Sequence, residues 1–264
     1  MLTVISPAKK LNETPMALPD GFALTEPAFA DQALELAALA RELSIEQIRT
    51  LSGISEALAK LNRDRFAAFS DTPGPGSIYA AAHCFAGDTY QGLDARTLPA
   101  AALKWAEGHL RILSGLYGLL RPFDAIQPYR LEMGSRLANP RGKDLYAFWG
   151  DRLATALNSV ADEQGVRVLV NCASVEYFAA IDRPTLRLPV ITPVFLEDRN
   201  GSTKVVSFWA KRARGAMARF ICENHLNDPA DLRGFSLGGY AHRADLSDAE
   251  RMVFVRAEPV HEAA

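Results

Sequence analysis

Residues 109–149 constrain the fold more than any other segment of this chain. Glycines and prolines divide the segment into short turns, yet it is rich in large aromatic rings and guanidinium groups. Exposing so many rings to water is unfavourable, so the segment is predicted to fold back onto the protein body. The cations drawn inward with the rings then need anionic partners. The pattern predicts a walled cavity for a phosphate or carboxylate ligand, with Arg121, Tyr129, Arg130 and Lys143 as candidate members.

The composition limits the class of protein. The 264 residues are 48% hydrophobic and 23% charged, enough apolar material for a substantial core. No apolar run approaches the ~20 residues that span a bilayer. The N-terminal charges follow the first apolar run instead of preceding it, so a cytoplasmic protein is predicted. The three cysteines lie far apart and the five histidines lack ligand spacing, so no disulfide framework, metal site or other cofactor is expected.

Hydrophobic periodicity predicts a mixed α/β fold. We expect a single domain over residues 1–264, with a central mixed sheet and an N-terminal all-helical insertion near residues 28–70. Strands are predicted at residues 2–5, 166–172, 190–196, 205–208, 235–240 and 252–256. Helices are predicted at residues 27–43, 45–51, 55–69, 98–113, 144–164 and 209–226. Ser44 and Gln47 form a capping-box pattern, and residues 198–201 are typical of a hairpin turn.

The helical insertion contains a segment, residues 51–61, that is similar to the second half of a helix-hairpin-helix motif. In that motif, backbone N–H groups at the hairpin and at the next helix start face a DNA phosphate. The candidate DNA-contacting residues are Ser52, Gly53, Ile54, Ser55, Lys60 and Arg63. Glu56 would repel phosphate and the second hairpin glycine is absent. On the residues alone, an ordinary helical hairpin closed by glycine is therefore favoured.

Polar residues follow two of the predicted strands. Asn171 and Ser174 end the most apolar strand, and Lys9 lies just past the first one. The carboxyl ends of central strands are where α/β proteins place ligands. Ser174 has neither a GxSxG context nor a nearby histidine, so a binding edge without nucleophilic catalysis is predicted.

The middle of the chain carries an excess of positive charge. Residues 111–222 hold 16 basic and 10 acidic residues. Lys211 and Arg214 are three apart on a predicted helix, and no acidic residue occurs between positions 198 and 223. This face either contacts an anion or is an ordinary solvated basic face, and both interpretations remain open.

Seven motifs are spread along nearly the whole chain. They are Ser6-Pro-Ala-Lys9, Gly87-Asp-Thr-Tyr-Gln-Gly-Leu93, Leu110-Arg-Ile-Leu-Ser-Gly-Leu-Tyr-Gly-Leu-Leu-Arg-Pro122, Gln127-Pro-Tyr-Arg-Leu-Glu-Met-Gly134, Lys143-Asp-Leu-Tyr146, Asn171-Cys-Ala-Ser174 and Lys211-Arg-Ala-Arg-Gly215. Together they resemble the bacterial peroxide-stress protein YaaA family. The resemblance implies a cytosolic protein that limits oxidative damage by restraining free intracellular iron. It also implies a single-domain fold, a helix-hairpin-helix element, DNA binding, and a positively charged cleft. The cleft positions correspond to Lys9, Arg130, Glu132, Lys143, Ser174, Lys211 and Arg214.

Two functional hypotheses follow from these patterns. In the preferred one, a stress protein, favoured as a binding protein over an enzyme, binds double-stranded DNA non-specifically through the hairpin and the cleft. In the other, an enzyme of unknown reaction holds a small anionic substrate. Lys9, Arg130 and Lys211 would then clamp the anion, and Glu132 or Glu176 would act as acid–base. Neither hypothesis involves a membrane.

Overall fold

The computed structural model describes residues 1–74 and 76–257. The strands are β1 (Leu2–Ile5), β2 (Tyr79–Ala80), β3 (Leu110–Ser114), β4 (Gly118–Leu120), β5 (Ala125–Ile126), β6 (Leu169–Cys172), β7 (Val190–Arg199), β8 (Ser202–Lys204), β9 (Ala241–His242) and β10 (Arg251–Ala257). The helices are α1 (Ala30–Arg41), α2 (Ile45–Ser52), α3 (Glu56–Ala68), α4 (Ala81–Cys84), α5 (Asp88–Leu93), α6 (Ala100–His109), α7 (Leu145–Trp149), α8 (Arg152–Gln164), α9 (Val175–Phe178) and α10 (Ser207–Glu223). Short 3-10 turns cover Ala95–Thr97, Pro229–Gly234, Leu237–Gly239 and Ala244–Leu246.

An eight-stranded mixed sheet forms the centre of the molecule. Its order is β4-β3-β1-β6-β7-β10-β9, with β8 beside β7. The five strands β3, β1, β6, β7 and β10 are parallel, whereas β4, β8 and β9 pair antiparallel. Val4 lies opposite Arg111 on one side and Asn171 on the other, which places β1 between β3 and β6. The prediction of a mixed α/β fold around a central mixed sheet is confirmed.

The central strands are buried along their whole length, as parallel strands covered on both faces must be. Every residue of β1, β3 and β6 is buried. Helix α10 packs against β1, β6 and β7. The strands predicted at 2–5, 166–172, 190–196 and 252–256 are confirmed, although β6 begins three residues later than expected.

The predicted helical section is confirmed as α1, α2 and α3, which lie between β1 and β2 in the chain. The capping box forms at α2, because the Gln47 N–H donates to Ser44 Oγ at 3.2 Å and the Ser44 N–H donates to Gln47 Oε1 at 2.8 Å. Gly53 ends α2 in the left-handed conformation, with φ of 59°. Ser55 then begins the turn into α3.

Two of the predicted helices were wrong in extent. The helix predicted at 98–113 ends at His109, and the following Leu110–Ser114 is β3. This segment, with Leu110, Ile112 and Leu113, is buried between β1 and β4, a setting that periodicity does not distinguish from a buried helix. The single helix predicted at 144–164 is divided into α7 and α8 by Gly150, whose φ of 50° and ψ of −126° no helix accommodates.

Two of the predicted strands were wrong. The hairpin turn is confirmed at Asn200 and Gly201, which both have positive φ, but its return strand is β8. Residues 205–208 therefore do not form a strand, and α10 begins at Ser207. The strand predicted at 235–240 is instead a 3-10 turn with positive φ at Gly238 and Gly239.

The prediction of a single domain over residues 1–264 stays a prediction. Residue 75 and residues 258–264 of that range lie outside the described part of the chain. Within the described ranges, no helix has both the length and the apolar character needed to cross a bilayer.

Candidate functional site

The carboxyl ends of β3, β1 and β6 meet at one edge of the sheet. Because β3 and β6 flank β1 on opposite sides, this edge is the position at which open α/β sheets form a ligand crevice. Ser6 directly follows β1, and its Oγ accepts a 2.8 Å hydrogen bond from the Ser174 N–H beyond β6. The two hydroxyl oxygens lie 3.3 Å apart. Tyr90 of α5 donates to the Ser6 carbonyl at 3.2 Å, which ties α5 to the same edge.

Aromatic residues of segment 109–149 form the inner wall of this edge. Tyr129 is buried, its hydroxyl lies 2.6 Å from Ser114 Oγ at the end of β3, and burial raises its pKa. Tyr117, Phe148 and Trp149 are buried as well, and the Trp149 Nε1–H donates to the Gly115 carbonyl at 3.0 Å. The prediction that the segment folds back onto the body is confirmed. Tyr129 is thus a neutral wall residue.

One carboxylate is shared by two cations just past the carboxyl end of β1, beside a space of only about 10 Å³. The Arg130 Nε–H donates to Glu132 Oε1 at 3.0 Å, and Lys9 Nζ lies 3.7 Å from the same oxygen. The Glu132 side chain is 13% exposed. Its Oε2 is buried and has no hydrogen-bond partner among the described residues. This group carries one net positive charge and one unused acceptor.

A further cation lies close to the end of β6. Arg214 of α10 is half-buried, burial lowers the pKa of its guanidinium, and it acts electrostatically on the Cys172 thiol. Burial raises the pKa of that thiol to about 12, so Cys172 is not a reactive thiolate at neutral pH. Within residues 1–74 and 76–257, no carboxylate forms an ion pair with Arg214.

Asn171 has a local structural role. Its Oδ1 accepts the Ala173 N–H at 3.0 Å and its Nδ2 donates to Thr192 Oγ1 at 3.4 Å. The side chain therefore shapes the turn after β6, and its polar atoms are already engaged.

Three predicted cleft residues make no hydrogen bond or ion pair with this group among the described residues. Arg121 donates to Asp124 Oδ1 at 3.0 Å and to the Glu26 carbonyl at 3.0 Å. Lys143 and Lys211 are exposed. Across the described ranges, no hydrogen bond or ion pair joins any of the three to Lys9 or Arg130. Their part in a cleft stays a prediction.

Sequence reasoning missed three residues that build the edge. Ser6 and Tyr90 belong to the family motifs but were assigned no role. Tyr177 is buried and lines the same small space as Glu132. Glu176 accepts the Gly134 N–H at 2.9 Å, which connects α9 to the turn after Glu132. The position of Ser6 immediately after a buried strand was the available signal.

The helical hairpin presents open backbone donors. The Ser55 hydroxyl accepts the Leu58 N–H at 3.4 Å, while among described residues the N–H groups of Ser55, Glu56 and Ala57 have no partner. Gly53 is exposed, and nothing lies within 4 Å of where its Cβ would be. Ile54 is half-buried, and the buried Ser52 hydroxyl has no hydrogen-bond partner in the described part of the chain.

The two basic residues predicted to assist the hairpin are paired with neighbouring carboxylates. Lys60 Nζ lies 2.8 Å from Glu56 Oε1, and Arg63 Nη2 lies 3.7 Å from Asp64 Oδ1. All four side chains are about half exposed or more, so these pairs are weak and exchange readily.

No group of three or more metal-ligating side chains is assembled in residues 1–74 and 76–257. Cys84, Cys172 and Cys222 are free and buried.

Comparison with known proteins agrees with the motifs. The family model described as "Peroxide stress protein YaaA" matches residues 1–246. The chain belongs to this family. A UPF0246 protein of Cereibacter sphaeroides (strain KD131) is 62% identical over 258 residues, which cover 97% of this chain and 100% of the relative. A UPF0246 protein of Ruegeria pomeroyi is 56% identical over 256 residues (97% and 98%), and one of Jannaschia sp. is 53% identical over 264 residues (100% of both). The YaaA resemblance is confirmed over nearly the whole chain.

Proposed function

We propose that this YaaA family member supports peroxide resistance as a DNA-binding protein that limits free intracellular iron. Its helix-hairpin-helix element would hold the duplex backbone. The observation that carries DNA binding is the set of unpaired N–H groups at Ser55, Glu56 and Ala57, at the start of a 13-residue helix. Helix N-termini attract phosphate because these donors and the helix dipole point the same way.

The shape of the hairpin favours close approach of a phosphate. Gly53 has no side chain and has open space beside it. A phosphate oxygen of the DNA backbone can therefore reach the N–H groups at the start of α3. Lys60 and Arg63 reinforce the contact by exchanging their exposed carboxylate partners for phosphates. This contact has no base-edge component, so it is independent of sequence.

The hairpin is tested by titrating a labelled duplex while following fluorescence anisotropy between about 50 and 200 mM salt. Gly53→Asp should abolish binding, whereas Gly53→Asn, equal in size but neutral, should retain most of it. Gly165→Asp is the matched control, because Gly165 also ends a helix at positive φ with open space around it. A folded Gly53→Asp protein that binds like the wild type would remove the hairpin from the mechanism.

The basic cleft contributes separately in this proposal. Replacing Lys211 and Arg214 together by alanine should reduce the slope of log affinity against log salt by about two, close to one per phosphate contact. The iron part is measured as chelatable iron in peroxide-treated cells that lack the endogenous protein. If Gly53→Asp restores the wild-type level of chelatable iron in these cells, iron limitation does not depend on DNA binding by the hairpin.

A second candidate is binding of a small anionic substrate in the crevice, which requires the space of about 10 Å³ beside Lys9, Arg130 and Glu132 to widen. The supporting observation is the Lys9–Glu132–Arg130 group, in which two cations exceed one carboxylate. A phosphorylated metabolite at about 100 times its Kd should stabilise the fold by about 2.7 kcal/mol, a shift that thermal unfolding detects. Lys9→Ala should remove the shift, and Lys104→Ala, exposed on α6, should keep it. If no phosphorylated or carboxylated metabolite shifts the wild type, the crevice does not bind such a substrate.

A further inference from the structure

A second cavity lies between α5, α10 and the 3-10 turn at Leu237–Gly239. Its volume is about 350 Å³, within the range of small-molecule sites. The main lining side chains are Gln91, Trp209, Arg212, Leu237, Tyr240 and Arg256.

The cavity is separate from the crevice at the sheet edge. Trp209, Arg212 and Ala216 line it, and their spacing of three and four places them on one face of α10. At 100° per residue, Lys211 and Arg214 fall on the other side of that helix. A ligand in this cavity would therefore not touch the proposed cleft.

A buried arginine forms the inner end of the cavity. The Arg256 Nε–H donates to Glu197 Oε2 at 2.7 Å, and Nη1 donates to the Gly238 carbonyl at 2.9 Å. The guanidinium carbon lies 4.4 Å from the Trp209 ring centroid and 4.7 Å from that of Tyr240. The Arg256 side chain is 10% exposed, and the Glu197 carboxylate, the Gly238 carbonyl and the two rings hold it in place.

One nitrogen of this guanidinium makes no hydrogen bond among the described residues. Nη2 is buried and has no hydrogen-bond partner among the described residues. The Glu197 carboxylate is already engaged, since its Oε1 accepts the Tyr240 hydroxyl and its Oε2 accepts Arg256 Nε. Buried N–H groups are paired in most proteins, and this unpaired nitrogen belongs to an arginine that lines the cavity.

The mouth of the cavity carries two more free polar groups. Arg212 and Gln91 are exposed, and no hydrogen bond or ion pair engages either side chain within residues 1–74 and 76–257. No lining residue is a carboxylate, so the electrostatic field of the lining is positive. The remaining walls are the Trp209 ring, Leu237 and small side chains of α10, which suit a flat apolar body.

We propose that this cavity binds a small aromatic anion. Its ring would pack against Trp209 and Leu237, its phosphate or carboxylate would bind Arg212 and Gln91, and Arg256 would form the inner end of the site. The guanidinium fork of Arg212 matches either oxyanion.

Matched probes separate charge from shape. Nicotinate and nicotinamide have the same ring but differ in charge. AMP and adenosine form a second such pair with a larger ring system. Inorganic phosphate provides the anion without a ring. Calorimetric titration of the full chain should give binding of nicotinate or AMP at least tenfold tighter than of its neutral partner or of phosphate. Equal affinity for both members of each pair, or no binding of any probe at millimolar concentration, overturns the proposal.

Variants locate the site without disturbing the fold. Arg212→Gln changes an exposed residue and should weaken binding of the anionic probe at least tenfold, while Arg233→Gln, exposed and outside the cavity, should leave it unchanged. Lys9→Ala should also leave it unchanged. Loss of binding in Lys9→Ala with normal binding in Arg212→Gln would place the ligand in the crevice and refute the assignment.

Discussion

The contact between α5 and α10 allows no side chain at its centre. A Cβ at Gly215 would lie 1.7 Å from the Thr89 carbonyl oxygen and 2.8 Å from the Leu93 nitrogen. At Gly92, a Cβ would lie 1.9 Å from the Arg212 carbonyl oxygen. All three obstructing atoms belong to the backbone, so no rotamer change relieves the clash and the two helices must move apart.

Gly215→Ala should therefore destabilise the protein strongly. Overpacking a tight core costs about 1–3 kcal/mol and occasionally more, and a rigid backbone obstacle places this change at about 3 kcal/mol or above. At about 2–4 °C per kcal/mol for a chain of this size, the Tm should fall by about 6–12 °C. Because α5 carries Tyr90, which holds the Ser6 carbonyl, separation of the helices should also loosen the sheet edge.

Urea unfolding followed by circular dichroism measures the loss, with Gly74→Ala as the control. Gly74 has open space around it and is not among the glycines with positive φ, so alanine there should be nearly neutral. A Gly215→Ala protein whose free energy of unfolding lies within about 0.5 kcal/mol of the wild type would refute the reasoning. A change of that size is typical of a substitution at an unconstrained surface site.

Two further substitutions test buried polar groups. Both ring nitrogens of His83 lack partners among the described residues, and burial, with a smaller effect of Arg96, lowers its pKa to about 4. Between about pH 6.5 and 4 the unfolded chain takes up a proton that the folded chain does not, so the free energy of unfolding should fall by up to about 3 kcal/mol. His83→Leu should remove that part of the pH dependence in urea titrations, and an unchanged profile would contradict it. Glu197→Gln leaves Arg256 buried without its counter-charge and should lower the free energy of unfolding by about 3–5 kcal/mol. The double variant Glu197→Gln with Arg256→Met should recover much of that loss. A Glu197→Gln protein with the wild-type Tm would show that the ion pair is not needed for stability.

Local sequence patterns predicted the elements that carry their own signals. Ser44 with Gln47, Gly53 and Gly165 each mark a helix end by capping chemistry, and all three lie where expected. The errors occurred where tertiary burial decides. Leu110–Ser114 continues an apolar helix in sequence and is a strand only because β1 and β4 flank it.

The candidate site shows the same limit at longer range. Lys9, Arg130 and Glu132 were assigned to a cleft on the resemblance to the YaaA family, and the three side chains do lie together. The bond between Ser6 and Ser174 joins residues 168 positions apart, and nothing local in the sequence predicts it. The stacking of Arg256 between Trp209 and Tyr240 was likewise not predictable, since it depends on the path of the turn at Gly238 and Gly239.

The edges of the eight-stranded sheet affect how copies of the protein can associate. The ends of the strand order are β4, with three residues, and β9, with two, and β8, with three, pairs only with β7 among the described strands. Strands this short offer few unpaired backbone groups to an incoming strand, so growth of the sheet from one molecule into the next is disfavoured. Concentrated protein should accordingly resist fibril formation through these edges, and a self-association observed in solution would have to use side-chain surfaces instead.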